Sequence, residues 1–343
     1  MKKKIYGFGL VGCGMISAVH AEVIGKLENA RLVGVTDRNP EATAAFAEKH
    51  ACRTFKSAAA LFASEEVDVA VICVPSGAHA PLAVAALRAG CHVIIEKPLA
   101  LTTADLDAIA EAERLSGKTV AVIYQQRFTP SAMALRLLIS EGALGRLLYA
   151  DLSMPYHRDP SYYEAAAWRG TRELDGGELF NQGVHGVDLL LYLCGDVTAV
   201  SGACRTLVHD IEAEDTTVAM LEFASGAVGT LRSSTATNPG YPRCLTLHFT
   251  EGTVAIDDDN IVLWDVKSVP RPEVKCYEGR ESHSNPMAFS SDYHYAEYEE
   301  LLEALDEGRA PAVSLAEGRR APDVILAIYK SSDEGRRVLL SEV

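Results

Sequence analysis

Apolar and polar positions alternate along residues 1–124 between short apolar runs and segments with helical periodicity. Apolar runs predict strands at residues 5–11, 31–36, 68–74, 91–95 and 119–124, and such continuous runs are typical of parallel strands buried on both faces. Between them, helical periodicity predicts helices at residues 15–27, 40–50, 78–89 and 102–115. This alternation indicates an α/β unit with a doubly wound parallel sheet.

The rhythm changes after residue 124. Helices are predicted at residues 131–141, 179–193, 295–307 and 322–334, and a strand at 147–154. Residues 197–265 read as strands joined by tight turns, with hairpin signals at Ser225-Gly226 and Glu251-Gly252. The pattern predicts two domains, residues 1–124 with the parallel sheet and residues 125–343 with an α+β fold and an antiparallel sheet.

Length and charge agree with this division and exclude some functions. The chain has 343 residues, which is long for one core, and a formal net charge of -15. An acidic chain is a poor candidate for binding nucleic acid or an anionic membrane. No apolar run approaches the roughly 20 residues of a membrane span. The 8 cysteines are scattered without a C-x-x-C pair, which favours reduced thiols and a cytoplasmic protein.

A glycine-rich turn follows the first predicted strand and opens the first predicted helix. It reads Gly12-Cys13-Gly14-Met15-Ile16-Ser17, a variant of the dinucleotide fingerprint. Gly12 permits the tight turn, and Gly14 lets the backbone of the helix N-terminus, with Met15 and Ile16, approach a pyrophosphate. Glycines in turns are common, so the motif alone is weak.

The end of the second predicted strand strengthens this interpretation. Asp37 lies where an acidic side chain can bind the adenosine ribose hydroxyls, which favours NAD. Arg38 could instead contact a 2′-phosphate, so NADP stays open, and a solvated surface arginine is the plain alternative.

Further polar residues follow later strands at the same carboxyl edge, where ligands bind. Pro75, Ser76 and His79 follow the strand at 68–74, although His79 could equally be a solvent-facing residue of a first helical turn. Glu96-Lys97-Pro98 follows the strand at 91–95. A lysine there can donate to a substrate oxygen and stabilise alkoxide charge, and Glu96 can pair with a cation. The alternative is a surface lysine in a loop.

A second group of candidates stands on the helix predicted at 179–193. His185 and Asp188 are three residues apart and share one helix face. An imidazole can take a hydroxyl proton as hydride leaves, and Asp188 could orient it. A structural histidine with a surface aspartate is the alternative. The 10 histidines are dispersed, and no metal site is predicted.

Taken in order, these motifs resemble the glucose–fructose oxidoreductase/inositol dehydrogenase/MocA (Gfo/Idh/MocA) family over nearly the whole chain. The resemblance rests on Gly12-x-Gly14, Asp37, Glu96-Lys97-Pro98, Trp168-Arg169-Gly170 and Gly176-Gly177 with His185-x-x-Asp188. It implies a Rossmann domain, an α+β domain with an open antiparallel sheet that commonly forms a dimer interface, and a homodimer or homotetramer. It also implies NAD(P)-linked hydride transfer at a sugar, sugar-nucleotide or polyol carbon, with Lys97 and His185 catalytic.

One position departs from the family pattern. The family often has aspartate four residues before the histidine, whereas this chain has Asn181, which can hydrogen-bond a substrate hydroxyl but cannot hold negative charge. Asn181-Gln182 resembles the branch that contains UDP-N-acetylglucosamine(uronate) 3-dehydrogenases.

Aromatic and arginine residues near the expected cleft complete the candidate site. Aromatic faces stack on sugar rings and arginine binds carboxylates, so substrate contacts are predicted for Arg127, Tyr156, Trp168 and Arg169, beside Asn181 and His185. Domain packing is the plain alternative for each. A non-catalytic, cofactor-sensing binding protein on the same fold is the rival function, and the presence of both Lys97 and His185 favours the enzyme.

Overall fold

The computed structural model describes residues 4–274 and 291–343, and these form two compact units. One unit comprises the described residues up to Gln125 together with residues 291–319, and the other comprises residues 126–274 and 320–343. The sequence-based division after residue 124 did not include the later segment in the first unit.

The first unit contains the predicted parallel sheet, which has six strands. Its strand order is β3-β2-β1-β4-β5-β6, so the chain winds outward from β1 in both directions. The strands are β1 (Tyr6–Val11), β2 (Ala30–Thr36), β3 (Arg53–Thr54), β4 (Val69–Ile72), β5 (His92–Ile95) and β6 (Val120–Val122). The helices between them are α1 (Met15–Lys26), α2 (Pro40–Lys49), α3 (Ala58–Phe62), α4 (His79–Arg88) and α5 (Thr103–Ser116).

Local signals explain where these elements begin and end. Thr102 caps α5 by accepting the Asp105 N–H, and Gly117 ends the helix with φ 64°, a left-handed conformation that glycine adopts without strain. The strand β3 and the helix α3 were not predicted, because two and five residues are too short to show a period.

The second unit contains an eight-stranded sheet with the order β13-β12-β11-β7-β10-β9-β8-β14. Its strands are β7 (Leu147–Pro155), β8 (Val197–Arg205), β9 (Thr216–Phe223), β10 (Val228–Ser234), β11 (Cys244–Phe249), β12 (Gly252–Asp257), β13 (Asn260–Val266) and β14 (Val338–Leu339). Its helices before β8 are α6 (Pro130–Ser140), α7 (Pro160–Glu164) and α8 (Val184–Cys194).

The second sheet is mixed, whereas the sequence predicts an antiparallel one. The strands β7 and β10 pair in parallel, and the other neighbouring strands pair antiparallel. A long connection through α7 and α8 separates β7 from the hairpin strands that follow, which allows this parallel pair. Hairpin signals report only strands adjacent in sequence, so the sequence could not show it.

The helix α8 is shorter than predicted, because its first part is a π-helical turn. Residues Leu179–Gly183 form that turn, and α8 begins at Val184. The Glu214 carboxylate accepts the Leu179 N–H at 2.9 Å, which holds the start of the turn. A Cβ at Gly186 would lie 2.3 Å from Met154 Sδ, so this glycine lets α8 approach β7 closely.

Two late helices complete the described chain, α9 (Asp292–Glu307) and α10 (Leu315–Glu334). The apolar face of α9 joins the core of the first unit through Tyr298, Leu301 and Leu302. Tyr298 stacks on Phe8 of β1 with ring centroids 5.8 Å apart. This burial explains why the segment belongs to the first unit although it is distant in sequence. No helix in the described residues has the length and apolar character that a membrane crossing requires.

Candidate functional site

The carboxyl edge of the parallel sheet gathers the residues that the sequence singled out in the first unit. Gly12 follows β1, Asp37 follows β2, Ser76 follows β4 and Lys97 follows β5. Because these strands run parallel and are neighbours, their carboxyl ends meet at one edge, where α/β sheets bind ligands.

The glycine turn has the geometry that a pyrophosphate needs. Gly12 has φ +106°, and a Cβ there would lie 2.2 Å from the carbonyl oxygen of Cys73. Gly14 is the N-cap of α1, no side chain caps the helix, and nothing lies within 4 Å of a Cβ built on it. The N–H groups of the first turn of α1 can therefore donate hydrogen bonds to an anion, which fits the pyrophosphate of a dinucleotide.

Asp37 is tied to this turn by its carboxylate. One oxygen accepts the Cys13 N–H at 2.8 Å and the other accepts the Asn39 N–H at 2.8 Å. Each carboxylate oxygen retains a lone pair for a ribose hydroxyl, so the predicted role is compatible with these bonds. Arg38 is exposed, and its contact with a 2′-phosphate stays a prediction.

His79 is not the solvent-facing residue that one sequence interpretation allowed. Its side chain is buried, with Nδ1 2.8 Å from the Pro98 carbonyl oxygen and Nε2 2.9 Å from that of Val74. Burial lowers the pKa of this imidazole. His79 therefore joins the loops after β4 and β5, and these contacts favour a bracing role over direct cofactor binding.

The cation beside Glu96 is His20, which the sequence did not single out. Glu96 is 7% exposed, and its Oε1 lies 2.9 Å from His20 Nε2. Its Oε2 accepts the peptide N–H of Lys97 at 3.1 Å. The Lys97 side chain is half-buried at the carboxyl edge. Only the fold brings α1 and the end of β5 together, so spacing along the chain could not reveal this pair.

In the second unit, Asp188 forms a buried ion pair with Arg127. The carboxylate accepts from Arg127 Nε at 2.9 Å and from Nη2 at 2.6 Å, and both side chains are almost fully buried. The sequence suggested that Asp188 orients His185 and that Arg127 binds substrate. This bidentate pair indicates a structural role for both residues, while His185 lies half-buried on α8.

Asn181 and Gln182 belong to a polar network on the π-helical turn. Asn181 Nδ2 donates to Asp175, and Gln182 Nε2 donates to Asn181 Oδ1 and to the Tyr162 hydroxyl, both at 3.0 Å. Asp175 is 2% exposed and also accepts the Gly170 N–H at 2.7 Å. A carboxylate thus stands beside Asn181, six residues earlier in the chain, where sequence spacing gave no signal for it.

Arginine and aromatic side chains pack together next to this network. Arg169 stacks over Tyr162, with Cζ 4.1 Å from the ring centroid, and donates to the Tyr162 carbonyl at 2.6 Å. Arg158, which is buried, lies over Tyr162 at 5.8 Å and donates to Gln182 Oε1 at 2.6 Å. Trp168 lies 5.6 Å from the Arg169 guanidinium.

Tyr156, like Arg158, is buried. Burial raises the pKa of its hydroxyl to about 12, and its N–H donates to the Ser234 carbonyl. These contacts favour packing for Tyr156. Arg158, Tyr162 and Gln182 form one connected set of hydrogen-bond donors and acceptors, in which Tyr162 and Gln182 are partly exposed.

Two buried carboxyl groups lie where the π-helical turn begins. Glu178 accepts a hydrogen bond from the Ser233 hydroxyl, and burial raises its pKa well above the usual range. Burial raises the pKa of Glu214 to about 7, although the Leu179 N–H and the Tyr329 hydroxyl, at 2.6 Å, both donate to its carboxylate. These groups hold the turn that carries Asn181. Within residues 4–274 and 291–343, no cluster of three or more acidic, histidine or cysteine side chains could hold a metal.

A glycine turn and a lysine lie on the carboxyl edge of a Rossmann sheet. These features indicate that the protein is a dinucleotide-dependent oxidoreductase. Residues 6–124 match the family model described as oxidoreductase family, NAD-binding Rossmann fold, and residues 132–255 match the Gfo/Idh/MocA C-terminal domain. The chain belongs to the Gfo/Idh/MocA family, as the motifs predict, and its cofactor is NAD.

Relatives align along nearly the whole chain. The WlbA dehydrogenase of Bordetella pertussis, solved in complex with NADH and UDP-GlcNAcA, is 32% identical, with 98% of this chain and 99% of that chain covered and a TM-score of 0.89. Inositol 2-dehydrogenase of Rhizobium meliloti is 27% identical, with 97% and 99% covered. Myo-inositol 2-dehydrogenase of Thermotoga maritima is 26% identical, with 98% of each covered.

The Arg127–Asp188 pair predicts a large loss of stability on substitution. Asp188→Asn leaves a buried guanidinium without its carboxylate, so we expect the free energy of unfolding to fall by about 3–5 kcal/mol, measured by urea denaturation. Glu111→Gln, which breaks an exposed pair with Arg114, serves as the control and should leave the free energy of unfolding almost unchanged. Unchanged stability with a raised KM for substrate would instead assign Arg127 to substrate binding.

Proposed function

We propose that this NAD-dependent oxidoreductase transfers a hydride at a secondary hydroxyl carbon of a sugar nucleotide, with Lys97 and His185 handling the hydroxyl proton. The observation that carries the proposal is the placement of Lys97 after β5, on the same sheet edge as the open N-terminus of α1. Family membership supports the reaction class, and the WlbA relative supports the substrate class.

Each side chain has a defined task in this reaction. NAD, when bound, supplies the hydride acceptor. Lys97, as an ammonium, donates a hydrogen bond to the substrate oxygen and stabilises the negative charge that develops there. His185, as a neutral imidazole, takes the hydroxyl proton and returns it in the reverse direction.

The polar network of the second unit supports an anionic sugar-nucleotide substrate over a neutral polyol. Arg169, which is half-buried and lies against the Tyr162 ring, provides a guanidinium group that suits a carboxylate or a diphosphate. Asn181 and Gln182 provide amide groups for sugar hydroxyls or an acetamido group. We assign substrate contact to Arg169, Asn181, Gln182 and Trp168. We leave Arg127, Tyr156 and Arg158 out because these side chains are buried and their contacts are internal.

Substrate choice is tested by following NADH absorbance at 340 nm. With NAD and a panel of UDP-GlcNAcA, UDP-GlcNAc, myo-inositol and levoglucosan, we expect the highest kcat/KM with UDP-GlcNAcA, because the Arg169 guanidinium favours the anionic sugar. A higher value for myo-inositol would contradict the proposed substrate class. Tight NAD binding without turnover on a broad sugar panel would favour the cofactor-sensing binding protein.

The role of Lys97 is tested by Lys97→Ala. We expect turnover to be lost while the Kd for NAD stays within about threefold, since the lysine stabilises charge on the substrate and is not needed to hold the cofactor. Quenching of the protein's intrinsic fluorescence on titration with NAD measures this Kd. Lys118→Ala, which changes a lysine of the loop after α5, is the control and should keep full activity. Turnover that survives in Lys97→Ala would remove this residue from the mechanism.

The outer face of the eight-stranded sheet supports self-association. Val218 and Met220 on β9, Val228 on β10 and Tyr149 on β7 are between 42% and 55% exposed and lie on neighbouring strands. Contiguous exposed apolar patches mark interaction sites. We propose that this face binds a second copy of the chain.

A charge placed in this face should therefore dissociate the assembly. Light scattering after size exclusion should report a dimer or tetramer for the unmodified protein and a smaller species for Met220→Asp, because an aspartate would be buried unpaired. Leu115→Asp, which is 69% exposed on α5 of the first unit, should leave the mass unchanged. A monomeric unmodified protein would refute the proposed interface.

A further inference from the structure

A buried polar cluster in the first unit lies between the glycine turn and Lys97, and the proposed reaction does not use it. His20 on α1 is 0% exposed, with Nε2 2.9 Å from Glu96 Oε1 and Nδ1 2.6 Å from the Tyr298 hydroxyl on α9. Three separate elements thus meet at one imidazole. Buried polar groups of this kind are costly unless they are fully paired, so the arrangement is specific.

Both oxygens of Glu96 are engaged by this cluster. His20 holds Oε1, and the Lys97 peptide N–H holds Oε2 at 3.1 Å. Glu96 is adjacent to Lys97 in the chain. Burial raises the pKa of its carboxyl, but His20 and, to a smaller extent, His294 and Lys97 lower it. Opposite charges attract strongly at short range in a partly buried site, so the Lys97 ammonium competes with His20 for this carboxylate.

We propose that His20 and Tyr298 are positioning residues, which hold Glu96 against the Lys97 backbone and keep its carboxylate from pairing with the Lys97 ammonium. The inference rests on the proposed role of Lys97. His20 and Tyr298 thereby act on Lys97 indirectly, because His20 contacts Glu96 and Tyr298 contacts His20.

The electrostatics of the cluster agree with this geometry. Burial opposes charge on His20, but Cys73 and Glu96 outweigh it and raise the pKa of the imidazole. Burial likewise opposes charge on Glu96, but the hydrogen bond and charge of His20 outweigh it and lower the pKa of the carboxyl. The other titratable neighbours are His294, whose ring lies edge-on to His20 at 5.7 Å, and Glu297 beside Tyr298.

The test compares His20→Ala with a double variant. In His20→Ala, Glu96 loses its partner and pairs with Lys97, so we expect kcat with UDP-GlcNAcA or the best panel sugar to fall about 10- to 100-fold. The Kd for NAD should change less than about threefold. Adding Glu96→Gln to His20→Ala removes the competing charge and should restore kcat about threefold or more, a non-additive effect that loss of packing does not produce.

A second readout does not depend on turnover. Limiting acetic anhydride modifies the neutral Lys97 amine of the full-length protein, and peptide mass spectrometry measures its rate. An ion pair with Glu96 raises the pKa of the amine, so modification should be slower in His20→Ala and recover in the double variant. This measurement works even if no sugar in the panel is turned over.

Two further variants separate positioning from folding. His20→Gln keeps a donor for Glu96 and should retain kcat within about threefold, and Tyr298→Phe should show a smaller loss than His20→Ala. Val23→Ala, in the buried core of the same helix, lowers the melting temperature but should leave kcat per folded molecule and Lys97 reactivity unchanged.

The outcomes distinguish this inference from the proposed function. If Lys97→Ala abolishes turnover while His20→Ala leaves both kcat and Lys97 reactivity unchanged, the inference is wrong and the proposed function stands. If His20→Ala and the double variant lose the same activity, or if His20→Gln is as impaired as His20→Ala, the cluster is structural only.

Discussion

The parallel pairing of β1 with β2 and β4, and of β4 with β5, is the constraint on which the rest of the first unit depends. Parallel strands bring their carboxyl ends to one edge, so residues up to 85 positions apart, from Gly12 to Lys97, lie along the same edge of the sheet. The core around the sheet is apolar and closely packed, and it holds the loops at the carboxyl edge in place. A dinucleotide site needs this edge more than any single side chain.

Each unit contains a buried pair of oppositely charged side chains. His20 and Glu96 pair in the first unit, and Arg127 and Asp188 pair in the second, each with an exposure below about a tenth of the side chain. An unpaired charge at such depth is strongly destabilising, whereas a hydrogen-bonded pair is tolerated. The pairs therefore add little net stability, but they fix orientations. The His20 pair orients Glu96 beside Lys97, and the Arg127 pair orients α8 against the segment before α6.

The second unit supports its candidate residues on an irregular element. The π-helical turn Leu179–Gly183 carries Asn181, and side chains from other segments hold its start, with Glu214 on the Leu179 N–H and Asp175 on Asn181. Irregular helical turns often occur at functional sites. Here the turn directs two amide side chains toward the Tyr162 hydroxyl and the arginines, instead of continuing the regular spacing of a helix.

The sequence by itself determined the parallel sheet, the glycine turn, the place of Lys97 at a strand end and the family, because these depend on local periodicity and short motifs. Only the tertiary structure decided which distant side chains pair. Spacing along the helix predicted that Asp188 orients His185, whereas in the fold its carboxylate accepts hydrogen bonds from Arg127. Spacing along the chain did not identify a partner for Glu96. In the fold, α1 places His20 beside Glu96, and α9 places Tyr298 beside His20. A buried charge takes the partner that three-dimensional packing offers, and no one-dimensional period encodes that choice.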